Sequence, residues 1–383
     1  MAANGEGPTR IRLGFVGGGR GALIGPVHRA AARLDDRFEV VGAVLSSNPE
    51  KSVADAAALG IPHGYGSLAA MIAAGGLDAV AIATPNDSHA ALAIEALDAG
   101  LHVVCDKPLA NTALDGRRIA AKVAETGLVF CLTHNYSGYP MVRQMRAMIE
   151  AGRIGKVHLV QASYRQGTLA TAIETGADIP ARLRWRLDPA KGGGSHVMGD
   201  IGSHVHQLIR YTTGLEIESV MAELGAIVPG RAAHDTGQAL LRFAGGARGQ
   251  MLATKVAHGA ENALSIEVHG DQGGLEWRQS RLDELTYLRN GEPQQILTRG
   301  SPYLEPLARQ ACRLPPGHPE GFHEGFANLY RDFAELVAAR LEGREPDPLA
   351  GTIPTAATGL DTLLFIDACI RSSETGSWQP VEH

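Results

Sequence analysis

The segment IRLGFVGGGRGALIGPVHRAAARL (residues 11–34) restricts this chain more than any other. It places an apolar run, a glycine-rich turn and a helical pattern in immediate succession, the context in which a dinucleotide-binding fingerprint becomes credible. Gly17 allows the tight turn, and Gly19 lets backbone approach a pyrophosphate with no Cβ in the way. The third small position is open: Ala22 fits the simple spacing, and Gly25 fits if the loop carries an insertion around GAL. Pro26 then falls in the first helical turn, where proline is tolerated. The pyrophosphate would lie on that helix's free N–H groups.

The segments that follow repeat the theme. FEVVGAVLSS (38–47) reads as a second strand and EKSVADAAALG (50–60) as a helix closed by Gly60. LDAVAIATPNDSHAALAIEALDAG (77–100) and LHVVCDKPLA (101–110) continue the alternation, and GLVFCLTHNY (127–136) supplies another strand. Apolar strands alternating with helices predict a doubly wound parallel sheet. The second strand of such a domain usually ends in an acid that binds the adenosine ribose. Here Ser46, Ser47 and Asn48 occupy that corner, with no arginine beside them and Lys51 the nearest cation. NAD is the expected cofactor, with NADP left open.

A chain of 383 residues has room for two domains. The expected division is a Rossmann domain over 1–135 and a second domain over 136–383. A net charge of -6 gives no reason to expect nucleic acid or an anionic membrane as partner. The opening MAANGEGPTR has no apolar core of a signal peptide, and no run of about 18 apolar residues occurs. The expectation is a cytoplasmic enzyme. Cys105, Cys131, Cys312 and Cys369 are scattered, with no Cys-x-x-Cys pair, so no metal is expected.

The motifs GGGR (17–20), ATPNDSH (83–89), CDKP (105–108) and GDIGSHVHQL (199–208) occur in an order and spacing that resembles the Gfo/Idh/MocA family of oxidoreductases. The likeness spans nearly the whole chain. It implies an α/β fold: an N-terminal doubly wound Rossmann domain, then a C-terminal α+β domain with an open, largely antiparallel sheet. The runs KVHLVQASY, IESVMAELGAIV and ALSIEVHG, set between Gly, Pro and Asn turns, suit such a sheet on their own account. The resemblance also implies a homodimer or homotetramer, a small-molecule carbohydrate substrate and NAD(P)-dependent hydride transfer at a ring hydroxyl of a sugar, glycoside or cyclitol. Arg20 and Asp106 come with the cofactor-binding motifs; Asp106 stands where the family usually has glutamate.

Within that frame Lys107 follows a strand at the carboxyl edge of the sheet and suits a cationic donor to the substrate oxygen. Pro108 would fix the turn. His204 is the expected base, and Asp200, four residues earlier, would share its helical face. Ser195 is a candidate cap for that helix; His206 faces elsewhere and takes no role. Thr84, Pro85, Asn86 and His89 are expected on the nicotinamide side, and Tyr136 at the end of another strand. Between 164 and 194 a local excess of cations includes Arg165, Arg182, Arg184 and Arg186, alternate residues of which share a face of an extended strand. Guanidinium forks suit carboxylates and sulfonates, so an anionic sugar such as a uronate or sulfosugar is one expectation.

Three other readings stay open. One is an NAD-recycling glycoside hydrolase working by transient C3 oxidation, elimination and water addition, with Tyr136 as base for the C2 proton. Another is a reductase of an imine or lactone. The third is a nucleotide-binding sensor without turnover, against which the presence of Lys107, Asp200 and His204 argues.

Overall fold

The computed structural model describes residues 9–175 and 194–383. They fall into two compact units. The first runs to Ala110, resumes over Leu114–Gly138 and takes in Phe322–Gly359. The second holds Asn111–Ala113, the stretch from Tyr139 to Gly321 and Leu360–His383. Phe322–Gly359 thus returns to the first unit, whereas a division after residue 135 leaves it with the second.

In the first unit β1 (Ile11–Gly17), α1 (Gly25–Leu34), β2 (Phe38–Val44), α2 (Pro49–Ala58), β3 (His63–Gly64), α3 (Leu68–Ala74), β4 (Ala79–Ala83), α4 (His89–Asp98), β5 (His102–Cys105), α5 (Ala113–Thr126) and β6 (Phe130–Leu132) alternate. The sheet is parallel throughout, in the order β3-β2-β1-β4-β5-β6. Winding reverses between β1 and β4, and ligands of such sheets bind beyond the strand ends at that point. Helices on both faces explain why β4 and β5 are buried at every residue and read as unbroken apolar runs. Ile11, Leu13, Phe15, Ala81 and Val104 form the core together with Phe326, Tyr330 and Phe333 of α9 (Phe322–Glu342). Gly138 admits this helix closely: a Cβ there would stand 2.0 Å from the Gly325 carbonyl oxygen.

The second unit contains α6 (Pro140–Glu150), β7 (Val157–Arg165), α7 (Ser203–Thr213), β8 (Ile217–Gly225), β9 (Thr236–Phe243), β10 (Arg248–Thr254), β11 (Ala263–Gly270), β12 (Gly273–Arg278), β13 (Glu284–Arg289), β14 (Gln295–Thr298), the short α8 (Pro306–Gln310) and β15 (Gln379–Pro380). Its nine strands lie in the order β14-β13-β12-β11-β7-β10-β9-β8-β15. Every pairing is antiparallel except β7 with β10. The expected open, mostly antiparallel sheet is therefore present. Strict alternation in β9 buries one face and exposes the other. Helix α7 packs on β7, β10 and β11. α10 (Ala356–Thr375) crosses the boundary between the units. The segment Pro348–Thr375 is long and apolar enough to span a membrane, yet 61% of its apolar window is buried inside the protein.

Candidate functional site

The glycine turn after β1 is packed to the limit. Gly17 and Gly18 hold φ of 83° and 66°, where a side chain is strained. A Cβ on Gly17 would stand 2.5 Å from the Ala83 carbonyl oxygen at the end of β4. One on Gly19 would stand 2.4 Å from that of Leu45. Of the two candidates for the third small residue, Gly25 packs on the turn, where its Cβ would meet the Gly18 carbonyl oxygen at 2.1 Å, and Ala22 is exposed in the loop. Arg29, one turn into α1, donates from Nη1 to the Gly18 oxygen at 2.6 Å and locks the loop onto its own helix. Backbone this bare, feeding a helix N-terminus at the winding reversal, fits the pyrophosphate of a dinucleotide.

Beside that turn, Asp106 and Lys107 leave the end of β5, and the Lys107–Pro108 bond is cis. Thr133 donates its hydroxyl to Asp106 at 2.9 Å, and His28 Nε2 stands 3.6 Å from the same carboxylate. Burial pushes the Asp106 carboxyl up, but His28, Lys107 and His89 outweigh it and hold the group below its ordinary value. His28 is anchored by the Tyr330 hydroxyl, 2.7 Å from Nδ1. His89 is fully buried, its ring nitrogens 2.9 Å from the Pro108 carbonyl and 3.1 Å from that of Thr84. It straps the two loop ends together. Thr84 and Asn86 are half-buried and Pro85 exposed. Tyr136 is buried in the turn Asn135–Gly138.

In the second unit a π turn over Met198–Gly202 precedes α7, with the Ser203 N–H reaching back five residues to the Met198 carbonyl. Asp200 lies in this widened turn and His204 in the α-helix proper, so the plain helical register expected for them does not apply. Both nonetheless meet the carboxyl end of the one parallel strand pair. Asp200 Oδ2 is 2.6 Å from the Lys255 ammonium just past β10. The His204 ring is 6.0 Å from that of Tyr164 on β7. Lys255 also donates to the Gln166 side-chain oxygen at 3.0 Å. The Ser195 hydroxyl faces His234 Nδ1 at 3.2 Å, and it is the Ser195 backbone carbonyl that accepts from Gly199. His206 is buried on Phe365 and Thr362.

Two family models cover most of this chain: an oxidoreductase-family, NAD-binding Rossmann fold over residues 11–134 and a GFO/IDH/MocA C-terminal domain over 142–276. An uncharacterised oxidoreductase, YfiI, of Bacillus subtilis is 33% identical across 96% of this chain and 95% of its own length. The chain belongs to the Gfo/Idh/MocA oxidoreductase family. An inositol dehydrogenase homologue from Azotobacter vinelandii, solved with NAD+, superposes with a TM-score of 0.89 at 32% identity over 97% of each chain. A levoglucosan dehydrogenase from Pseudarthrobacter phenanthrenivorans is 28% identical over 97% of this chain and 98% of its own. The first unit of this Gfo/Idh/MocA member is an NAD-binding Rossmann domain.

After β2, Ser46 accepts the Asn48 amide at 3.1 Å, and Asn48 caps α2 by accepting the Lys51 amide at 2.8 Å; Ser47 is exposed. Arg20, also exposed, directs its amide at Asp55, 3.4 Å away, and Asp55 is ion-paired to Lys51. Arg29 and Lys255 carry no signal in a linear reading, because their partners lie outside their own elements. Arg165 is exposed at the end of β7. Arg182, Arg184 and Arg186 lie outside the described residues.

Proposed function

We propose that this chain oxidises a ring hydroxyl of a neutral or acidic sugar, glycoside or cyclitol. NAD, when bound, accepts the hydride. Gly17, Gly19 and Gly25 give its phosphates access to bare backbone and to the α1 N-terminus. Lys107 donates to the hydroxyl oxygen and holds it. His204 takes the hydroxyl proton, which leaves the carbonyl product, and Asp200 accepts from the ring to fix its orientation. The observation that carries this reading is that the second unit places a buried imidazole and an ion-paired carboxylate at the ends of β7 and β10, in a chain whose first unit binds NAD.

A panel containing myo-inositol, levoglucosan, apiose, simple aldoses, a uronate and an aryl glycoside tests it, scored for NADH absorbance and for released aglycone. NADH formation on a polyol or sugar supports the reading. Aglycone release without net NADH would replace it with a redox glycosidase. NAD binding without turnover of any member would point to a sensor.

A further inference from the structure

We propose that Lys255 is a positioning residue that fixes the direction of Asp200; this rests on the reading of Asp200 as the group that orients the His204 ring. The lysine follows a strand whose last residues are buried, and its own side chain is 6% exposed. An ammonium in such a place is costly to desolvate unless it is paired and hydrogen-bonded. Here it is both, through Asp200 at 2.6 Å and Gln166 at 3.0 Å.

The two partners differ in how firmly they are held. The Lys255 backbone is clamped from both sides: its N–H donates to the Asp235 carbonyl and its carbonyl accepts from Leu169, each at 2.9 Å. Asp235 is itself fully buried, taking an ion pair from Arg231 at 2.9 Å and amides from Ile227 and Val228. The lysine therefore projects from a rigid base. Asp200 sits instead in a π turn between Gly199 and Ile201, with a side chain less enclosed than that of Lys255. The Lys255 contact selects one carboxylate direction. Register makes the arrangement possible. β7 and β10 run parallel with Thr254 opposite Arg165, so Lys255 and Gln166 emerge side by side, under the turn that carries Asp200.

The experiment is a double-mutant cycle in the full chain with NAD and the panel member turned over fastest. Lys255→Met should lower kcat by about 10- to 100-fold, the size expected when an orienting carboxylate loses its fixed partner, with KM for NAD unchanged. In the Asp200→Asn background the same change should cost less than about threefold, because the two act as one unit. Lys255→Arg, which keeps the charge, should recover activity to within about tenfold of wild type. Wild-type kcat in Lys255→Met, or equal losses in both backgrounds, would overturn the proposal while leaving the dehydrogenase reading standing. Wild-type kinetics in Asp200→Asn would overturn the proposal together with the orienting role of Asp200. If Lys255→Met does not fold, Lys255→Gln, similar in length and polar, takes its place in the cycle with the same criteria.

Discussion

Gly25 lies against Gly18 so closely that no side chain fits between them: a Cβ on Gly25 would stand 2.1 Å from the Gly18 oxygen and 2.4 Å from the Gly18 Cα. No side chain yields there, because the neighbour is main chain. The same oxygen is already engaged by Arg29. Gly25→Ala must push the glycine loop off α1, an overpacking strain of roughly 1–3 kcal/mol. NAD affinity, read by quenching of intrinsic fluorescence or by calorimetry, should fall by about tenfold for each 1.4 kcal/mol of that strain borne by the bound form. Ala22→Ser, in the exposed part of the loop, should bind NAD as wild type does. Unchanged affinity in Gly25→Ala would mean that this loop does not carry the phosphates.

Lys107→Ala should keep the fold and bind NAD yet lose on the order of 10²–10⁴ in turnover, the range for a group that positions or moves the reacting proton. His204→Ala should fall in the same range, and the double variant should be little worse than either single one, since both serve one proton path. Stopped-flow single turnovers with the active panel substrate would measure this. Near-normal turnover in either variant would remove it from the catalytic set.

Cofactor choice should respond to Ser46. Its hydroxyl already accepts the Asn48 amide, a bond that an aspartate can also accept. Ser46→Asp should therefore keep NAD affinity and weaken any NADP binding through repulsion between the carboxylate and a 2′-phosphate. Calorimetric titration with each nucleotide tests it, and tighter NADP binding in the variant would show the adenosine to lie elsewhere.

Acid should destabilise the protein before its carboxylates titrate. Burial lowers His102, with the charge of Arg340 adding to the effect, to about 4, and its Nδ1 accepts the Val129 amide. Burial likewise lowers His206 to about 4. Both folded values lie below the unfolded value of 6.5. The unfolded chain therefore takes up protons first as pH drops, and stability falls between about pH 6.5 and 4. Each histidine contributes on the order of 3 kcal/mol over that window. The Tm should decline across it, and His206→Asn should flatten the decline. A Tm constant from pH 7 to 4.5 would contradict the buried, neutral state of both rings.

The Rossmann domain was legible because parallel strands buried on both faces read as unbroken apolar runs. Gly17 and Gly19 were legible from their spacing right after the first strand, although what they pack against, the Ala83 and Leu45 carbonyls, lies on other strand ends. The choice between Ala22 and Gly25 was not legible, since it depends on how far the loop bulges before α1 begins. Asp200 and His204 could be found by spacing, but the π turn between them could not, because nothing in GDIGSHVHQL marks a five-residue hydrogen bond. Lys255 was invisible for a different reason. Its importance arises from a parallel pairing between β7 and β10, whose facing residues lie almost ninety positions apart (Arg165 and Thr254). The return of Phe322–Gly359 to the first unit is likewise non-local: Phe326, Tyr330 and Phe333 form an ordinary amphipathic stripe, and only the fold shows which sheet it covers.

Substrate charge is the property that Arg165 can test. It stands exposed at the carboxyl end of β7, the residue before Gln166, which binds the Lys255 ammonium. That ammonium is already neutralised by Asp200, so it offers little net attraction to an anion, and an acidic substituent would have to be met by a cation such as Arg165. A guanidinium fork matches the paired oxygens of a carboxylate or sulfonate better than a hydroxyl. Exposure limits the gain: an exposed ion pair contributes up to about 1 kcal/mol, or roughly fivefold in affinity. Arg165→Ala should therefore raise KM for a uronate by roughly fivefold while leaving KM for the corresponding neutral sugar and both kcat values unchanged. The uronate preference of the wild type should shrink as ionic strength rises from about 0.01 M, where the Debye length is near 30 Å, to about 1 M, where it is near 3 Å. Equal efficiency on the two sugars in wild type, insensitive to salt and to Arg165→Ala, would leave neutral polyols as the substrate class.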